Sequence, residues 1–153
     1  ASASFEGESA AREPFAQPLV ELSGEPVELT VDAASLAELR RCVTEAAGRA
    51  GIGEPRTAGL VLATHEVAAN SIRHGGGAGQ IRIWSEPGAV VCELRDGGWI
   101  SDPLAGRRRP SPGRLNGRGL WLANHLCDLV ELRSSRAGTT VRLHVSEPAA
   151  AAS

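Results

Sequence analysis

The spacing of apolar residues changes along the chain, and these changes constrain the fold more than any other feature of the sequence. Val27, Leu29 and Val31 alternate with polar residues, which is the two-residue repeat of a strand. Residues 60–75 follow the three-to-four-residue repeat of a helix, and from Gln80 the period returns to two. A chain that switches between these patterns has to bury helices and strands against one another.

The segment boundaries predict the order strand, two helices, hairpin, long loop, helix and hairpin. Asp32 offers an N-cap for the first helix, Gly51 and Gly53 end it, and Pro55 suits the first turn of the second. The predicted strands are 27–31, 80–85, 90–96, 129–133 and 139–145, and the predicted helices lie between 32 and 51, from 55 to 74 and from 117 to 127. This order predicts an α+β fold, a two-layer sandwich with helices on one face of a mixed, mostly antiparallel sheet.

Length and composition indicate a single domain. Its 153 residues fit one packed core, which we place at residues 27–146, between a proline-containing tail or linker (1–26) and a disordered tail (147–153). The 42% of hydrophobic residues include no long apolar run, so we expect neither a transmembrane helix nor a signal peptide, and hence a cytoplasmic protein without a membrane partner. The net charge of -2 argues against nucleic acid as the main partner.

The sequence contains no lysine and has 16 arginines. This composition excludes P-loop NTPases, protein kinases of the eukaryotic type and Schiff-base enzymes, because each of these classes needs a lysine in its site. Cys42, Cys92 and Cys127 lie in apolar contexts at spacings that match no metal or redox motif. We expect them to be reduced core residues.

Two polar residues interrupt the helical pattern of residues 60–75. Glu66 and Asn70 are four residues apart, so on a helix their side chains project from one face, one turn apart. Val61, Ala68 and Ile72 line another face, which predicts packing on that side. A carboxylate and an amide oxygen so placed are suited to a hard cation and a proton acceptor beside a ligand. Taken alone, such a pair is more often part of a solvated helix face.

Three further segments place polar groups or backbone amides at the ends of elements. Asp96 ends a strand and is followed by two glycines, which leaves its carboxylate at a sheet edge beside flexible backbone. The segment GRGL, residues 117–120, opens a helix, where backbone amides are able to approach a phosphate. Thr139 follows a glycine at the start of the last strand, where its hydroxyl is expected to face the same cleft.

In this order, the motifs resemble those of the GHKL ATPases, and within them the small anti-sigma-factor serine kinases of bacteria. The N box of the family resembles EVAANSIRHG at 66–75, and its first glycine box resembles DGG at 96–98. The second glycine box resembles GRGL at 117–120, and the closing strand resembles GTTVRL at 138–143. The resemblance covers residues 27–145 and implies a Bergerat-type ATP-binding fold.

The resemblance implies a site for ATP and Mg²⁺ and assigns roles within it. Glu66 would be the general base, Asn70 the magnesium ligand and Asp96 the acceptor for the adenine amino group. Gly98 would let the chain pass close to adenine, and Thr139 would help Asp96 to hold the ring. Residues 99–116 would form a lid over the nucleotide. The contacts to its phosphates would come from Arg114, Gly117, Arg118, Gly119 and Leu120.

The function that the resemblance implies is an anti-sigma-factor regulator with serine/threonine kinase activity, whose partners are a sigma factor and the antagonist that it phosphorylates. The alternative is a nucleotide-gated protein-binding module without kinase turnover, because Ile100 stands where family members often have a glycine. A sensor histidine kinase is disfavoured, since no histidine precedes His65 to accept the phosphoryl group. The sequence leaves the oligomeric state open, a homodimer included.

Overall fold

Five strands form one sheet in the computed structural model, which describes residues 22, 24–74, 78–97, 118–136 and 138–147. They are β1 (Val27–Val31), β2 (Gly79–Glu86), β3 (Ala89–Asp96), β4 (Leu129–Ser135) and β5 (Gly138–Ser146). Their order across the sheet is β1-β2-β3-β5-β4, and every pair of neighbours is antiparallel. The predicted α+β fold is confirmed, but the sheet was predicted to be mixed and its described strands are all antiparallel.

Local sequence signals explain where the helices begin and end. The described α-helices are α1 (Leu36–Ala50), α2 (Arg56–His74) and α3 (Arg118–Leu126). Asp32 caps a short 3-10 helix, Ala33–Ser35, that leads into α1, and its Oδ1 accepts a hydrogen bond from the Ala34 amide at 3.0 Å. Gly51 ends α1 in the left-handed conformation, with φ of 82°. The terminating role predicted for Gly51 is confirmed, whereas Asp32 caps the 3-10 turn and the N-cap position of α1 itself is Ser35.

The core lies between the sheet and the two long helices α1 and α2. Apolar residues at helical spacing on the helices meet alternate residues of the strands, so each element buries one side. The core includes Leu39, Val43, Ala46, Leu60, Ala63 and Val67 from the helices and Ile81, Ile83, Cys92, Leu94, Val141 and Leu143 from the strands. Each fully buried Leu, Ile or Val contributes about 1.5–3 kcal/mol relative to an exposed side chain.

Helix α3 packs beside α2, with Gly59 at their contact. A β-carbon at Gly59 of α2 would stand 3.6 Å from the β-carbon of Leu126 in α3. Ala123 of α3 is fully buried. This contact holds α3 next to the helix that carries Glu66 and Asn70.

The opposite face of the sheet carries a row of charges that alternate in sign across all five strands. The strand registers align Glu28, Arg82, Glu93, Arg142 and Glu131. Glu93, at the centre, is 1% exposed, and its carboxylate accepts hydrogen bonds from Nε of Arg82 and Nε of Arg142, both at 2.8 Å. The two guanidinium groups offset the cost of burying this carboxylate.

Most of the two predicted tails lies outside the described residues, apart from residues 22, 24–26 and 147. The domain limits at 27 and 146 therefore stay a prediction. Within the described ranges, no helix combines the length and apolar character that crossing a membrane would need.

Candidate functional site

Helix α2 carries Glu66 and Asn70 on the side away from the core. Both residues are half-buried, whereas Val67 and Ala68 between them are 3% exposed. Of the residues predicted to line the packed face, Ala68 is buried and Ile72 packs against the core at its edge. The helix thus presents a carboxylate and an amide one turn apart, and neither is simply solvated.

Asn70 already has a charged neighbour. Nη2 of Arg73 donates a hydrogen bond to Oδ1 of Asn70 at 3.1 Å. Arg73 is exposed and lies three residues further along α2, on the neighbouring turn. The guanidinium therefore lies directly beside the amide oxygen that the sequence singles out as a metal ligand.

Asp96 ends β3 below the last turns of α2, and a serine of that helix holds its carboxylate. Oγ of Ser71 donates to Oδ2 of Asp96 at 2.5 Å. A hydrogen bond to an ionised acceptor is stronger than a neutral one, so Ser71 fixes the orientation of the carboxylate. Asp96 itself is half-buried.

Sequence reasoning missed Ser71. Its signal was its position, since Ser71 follows the buried residues Val67 and Ala68 by four and three positions. That spacing places a hydroxyl on the helix side that faces the sheet. A polar residue on a buried face needs a hydrogen-bond partner, and at the end of α2 the partner comes from β3.

Thr139 lies directly opposite Asp96 in the antiparallel pairing of β3 with β5. It is 6% exposed, and its Oγ1 is 2.7 Å from Oγ of Ser134 in β4. Ser71, Asp96, Thr139 and Ser134 thus form a continuous line of polar side chains on the helix-facing side of the sheet end. The strand register places Thr139 beside Asp96, and the role predicted for Thr139 at a ligand stays a prediction.

The predicted phosphate contacts are described only in part. Gly98, Arg114 and Gly117 lie outside the described residues, as do Ile100 and the rest of the predicted lid. Arg118, Gly119 and Leu120 form the first turn of α3, and only their backbone is described. A helix does begin at the predicted place, where its first amides are available to an anion.

Among the predicted site residues, the proposed cation ligand is the side-chain oxygen of Asn70. No group of three or more His, Cys, Asp or Glu side chains among the described residues is placed to hold a metal ion. Magnesium is commonly held by one or two protein oxygens together with the phosphates of its substrate. Asn70 supplies one oxygen of the kind that Mg²⁺ accepts.

The three cysteines are free, as predicted. Burial raises the pKa of Cys92 and that of Cys127 to about 12, so both thiols stay protonated near neutral pH. Neither thiol is therefore activated as a nucleophile.

The family profile described as Histidine kinase-like ATPase domain matches residues 29–145, which include α2, Asp96 and Thr139. The chain belongs to this histidine-kinase-like ATPase family. Membership confirms the resemblance to the GHKL ATPases and implies that the domain binds ATP. Comparison with curated protein sequences gives no match.

Two solved structures are similar to this chain, and one of them shares its fold. The crystal structure of the RsbU and RsbW domains of Rv1364c from Mycobacterium tuberculosis matches with a TM-score of 0.58 and 20% identity, over 82% of this chain and 34% of that chain. The Acinetobacter baumannii histidine kinase AdeS matches with a TM-score of 0.48 and 10% identity, over 78% and 67% of the two chains. The first match confirms the α+β fold, while this chain spans only 34% of that protein.

Proposed function

We propose that this ATPase domain is an anti-sigma-factor-like regulator that binds ATP with Mg²⁺ and transfers the γ-phosphate to a serine or threonine of a partner protein. One observation carries the proposal: α2 presents Glu66, Asn70 and Ser71 within two turns, and Ser71 reaches Asp96 at 2.5 Å. A single rigid helix thereby links the proposed base, the proposed metal ligand and the proposed adenine acceptor.

Adenine selection is assigned to Asp96. An exocyclic amino group donates hydrogen bonds, and a carboxylate held by Ser71 is a pre-oriented acceptor for it. Thr139, opposite Asp96 in the strand register, supplies a neighbouring hydroxyl. Gly98 follows Gly97, the last described residue after β3. We assign to Gly98 the close approach of the backbone to the adenine ring.

Asn70 is assigned to Mg²⁺, and the start of α3 to the phosphates. When bound, Mg²⁺ would neutralise negative charge on the phosphate oxygens. Arg73 donates a hydrogen bond to Oδ1 of Asn70, so its guanidinium lies close enough to interact with the same negatively charged phosphates. Arg118, Gly119 and Leu120 would contribute first-turn amides, and Arg114 and Gly117 would complete the phosphate site.

Glu66 is assigned the proton transfer. A hydroxyl of the partner approaches the γ-phosphorus, and the Glu66 carboxylate accepts its proton. The new oxygen–phosphorus bond forms as the bond from the γ-phosphorus to the β–γ bridging oxygen breaks, and ADP leaves with that electron pair. Glu66 then releases the proton to solvent. The sequence resemblance to anti-sigma-factor serine kinases supports a sigma factor and its antagonist as the partners.

Calorimetric titration tests the nucleotide site first. We expect ATP and ADP to bind in a magnesium-dependent manner, and D96N to lose about 10- to 100-fold in affinity, since it loses a charged hydrogen-bond acceptor. E86Q, at the exposed far end of β2, is the matched control. Failure of the wild-type protein to bind either nucleotide would contradict the proposal.

Transfer of radiolabel from ATP to candidate antagonist proteins tests the chemistry. E66Q should lower the transfer rate by about 10²- to 10⁴-fold, the usual contribution of a general base, while ATP affinity is kept. E45Q, exposed on α1, is the control. If the wild-type protein binds ATP but labels no partner, the domain is instead a nucleotide-gated binding module.

A further inference from the structure

A tryptophan is buried on the sheet face that carries the charge row of Glu93, which we call the outer face. Trp84 of β2 follows Ile83, a core residue, so its side chain points to the outer face. Trp84 is nevertheless 8% exposed. Among the buried hydrophobic residues of the described ranges, Trp84 alone lies outside the core cluster. Its burial therefore needs a source other than the core.

Two arginines of the outer face cover part of the indole. Cζ of Arg82 stands 4.8 Å from the centroid of the Trp84 ring, and Cζ of Arg142 stands 5.7 Å from it. Guanidinium groups donate hydrogen bonds and do not accept them. Nε1 of Trp84 is buried, and no described residue accepts a hydrogen bond from it. Because a buried indole N–H usually has an acceptor, we expect one from outside the described ranges.

The chain that leads into β1 approaches this indole. Val27, the first residue of β1, lies opposite Ile83, so the residues before it are level with Trp84. A β-carbon at Gly24 would stand 4.0 Å from Cδ1 of Trp84, the ring carbon bonded to Nε1. Leu22 is half-buried. The described residues before β1 therefore lie against the protein beside the uncovered indole N–H.

Exposure across the outer face rises with distance from Gly24. The strand registers align Trp84, Val91, His144 and Leu129 in one row from β2 to β4. Trp84 is 8% exposed, Val91 is half-buried and Leu129 is 51% exposed. This gradient supports a cover that begins on the side of β1 and β2.

Residues 15–22, with the sequence FAQPLVEL, have the composition that such a cover needs. They contain every large apolar residue that precedes β1 except Phe5. These eight residues can span about 26 Å when extended, whereas three strand spacings from β2 to β4 amount to about 14 Å. Pro14 and Pro18 have no amide hydrogen for a strand ladder. The segment is therefore better suited to the face of the sheet than to its edge as a sixth strand.

We propose that residues 15–22 fold back over the outer face of their own chain. Their apolar side chains pack on Trp84 and Val91, and a backbone carbonyl of the segment accepts the hydrogen bond from Nε1 of Trp84. The segment whose composition predicts a linker is then part of the domain, and it occupies a sheet face otherwise open to a second copy. The inference is independent of the proposed kinase function, because it uses no residue of the nucleotide site.

Photo-cross-linking on the full chain tests where the segment lies. The photoreactive residue benzoylphenylalanine replaces Leu19 in one protein and Phe5 in a control. We expect a cross-link from position 19 to peptides of β2 or β3, and none to these strands from position 5. The proposal is overturned if position 19 gives no cross-link to the outer face, or if position 5 labels it equally.

An isotope mixture distinguishes the chain's own segment from that of a second copy. Equal amounts of heavy-isotope-labelled and unlabelled protein are mixed before irradiation. Cross-linked peptide pairs in which both peptides carry the same isotope would support the proposal. Pairs of mixed isotope would show that a neighbouring chain covers Trp84, which would contradict it.

Tryptophan fluorescence gives a second, independent test. Subtracting the spectrum of the matched W84F protein from that of its parent isolates the emission of Trp84. F15S and L22S should each shift this emission to longer wavelength and increase its quenching by acrylamide. Each removes an apolar contact of the segment, which should raise the open population about tenfold.

F5S is the matched control, since it alters the other phenylalanine of the chain. It should leave the emission and quenching of Trp84 unchanged, and circular dichroism should show that all the variants are folded. Emission of Trp84 that is unaffected by F15S and L22S together would refute the cover, as would an equal change in F5S.

Discussion

Gly138, the first residue of β5, lies against the backbone of Asp96 so closely that a β-carbon would stand 2.4 Å from the Asp96 carbonyl oxygen. Its φ of 141° is also one that residues with side chains rarely adopt. The approach sets β5 next to the end of β3, where Thr139 pairs with Asp96. Glycine at position 138 therefore allows both the pairing of β5 with β3 and the position of Thr139 beside Asp96 in the proposed adenine site.

The substitution G138A should destabilise the domain by at least about 2 kcal/mol, because it combines backbone strain with a contact that has to open. It should also weaken ATP binding by displacing Asp96. Urea unfolding and calorimetry measure the two effects. G48A in α1 is the control, because nothing lies within 4 Å of its new β-carbon. G48A should stabilise by about 0.5–1 kcal/mol, and equal effects of the two substitutions would contradict the steric account.

Loss of the Ser71 hydroxyl should weaken nucleotide binding more than it weakens the fold. In S71A the Asp96 carboxylate loses the donor that orients it, and we expect about a 3- to 10-fold lower affinity for ATP and ADP. Calorimetric titration measures this change. S85A, on an exposed position of β2, should leave the affinity unchanged. Unchanged affinity in S71A would show that the hydrogen bond does not position the carboxylate for a ligand.

The buried carboxylate of Glu93 should be among the most sensitive positions for stability. E93Q leaves the Arg142 guanidinium, 3% exposed, without its charged partner, and we expect a loss of about 3–5 kcal/mol. Urea unfolding monitored by circular dichroism measures the change. E45Q breaks an ion pair with Arg41 whose side chains are 55% and 52% exposed, and because solvent screens that pair its loss should be much smaller than that of E93Q. A loss in E93Q as small as in E45Q would count against the buried network.

Acid should weaken the hydrogen bonds that Asp128, two residues after the end of α3, accepts from Arg56 and Ser146. Burial alone would raise the pKa of Asp128, but hydrogen bonds from Arg56 and from the amide of Ser146, at 2.7 Å, together lower it below its ordinary value of 3.8. Because the folded pKa is depressed, this stabilisation is present above about pH 4 and is lost as the pH falls through the folded pKa.

The variant D128N measures the contribution of that carboxylate. The difference in unfolding free energy between the wild-type protein and D128N should be largest near neutral pH and should shrink steadily below pH 4. Urea titrations at several pH values give this difference. A difference that is constant between pH 7 and pH 3 would assign the effect to packing instead of charge.

Much of the secondary structure was predictable because its signals are local. Asp32 and Gly51 mark the two ends of the first helical segment through hydrogen bonds and φ values that involve only nearby residues. The small departure at the start of α1, where a 3-10 helix intervenes, concerns a single turn. The pairing of Glu66 with Asn70 was equally visible, since a helix repeats every 3.6 residues whatever surrounds it.

The sequence by itself determined the elements, the buried side of each one, and the polar residues that stand out from those patterns. Only the tertiary structure decided which of these residues meet. Ser71 and Asp96 are 25 residues apart, and Glu93 and Arg142 are 49 apart. Their contacts depend on strand register and on the seating of α2, which the whole core selects together. Periodicity specifies which way a side chain faces, whereas its partner is specified by packing at long range.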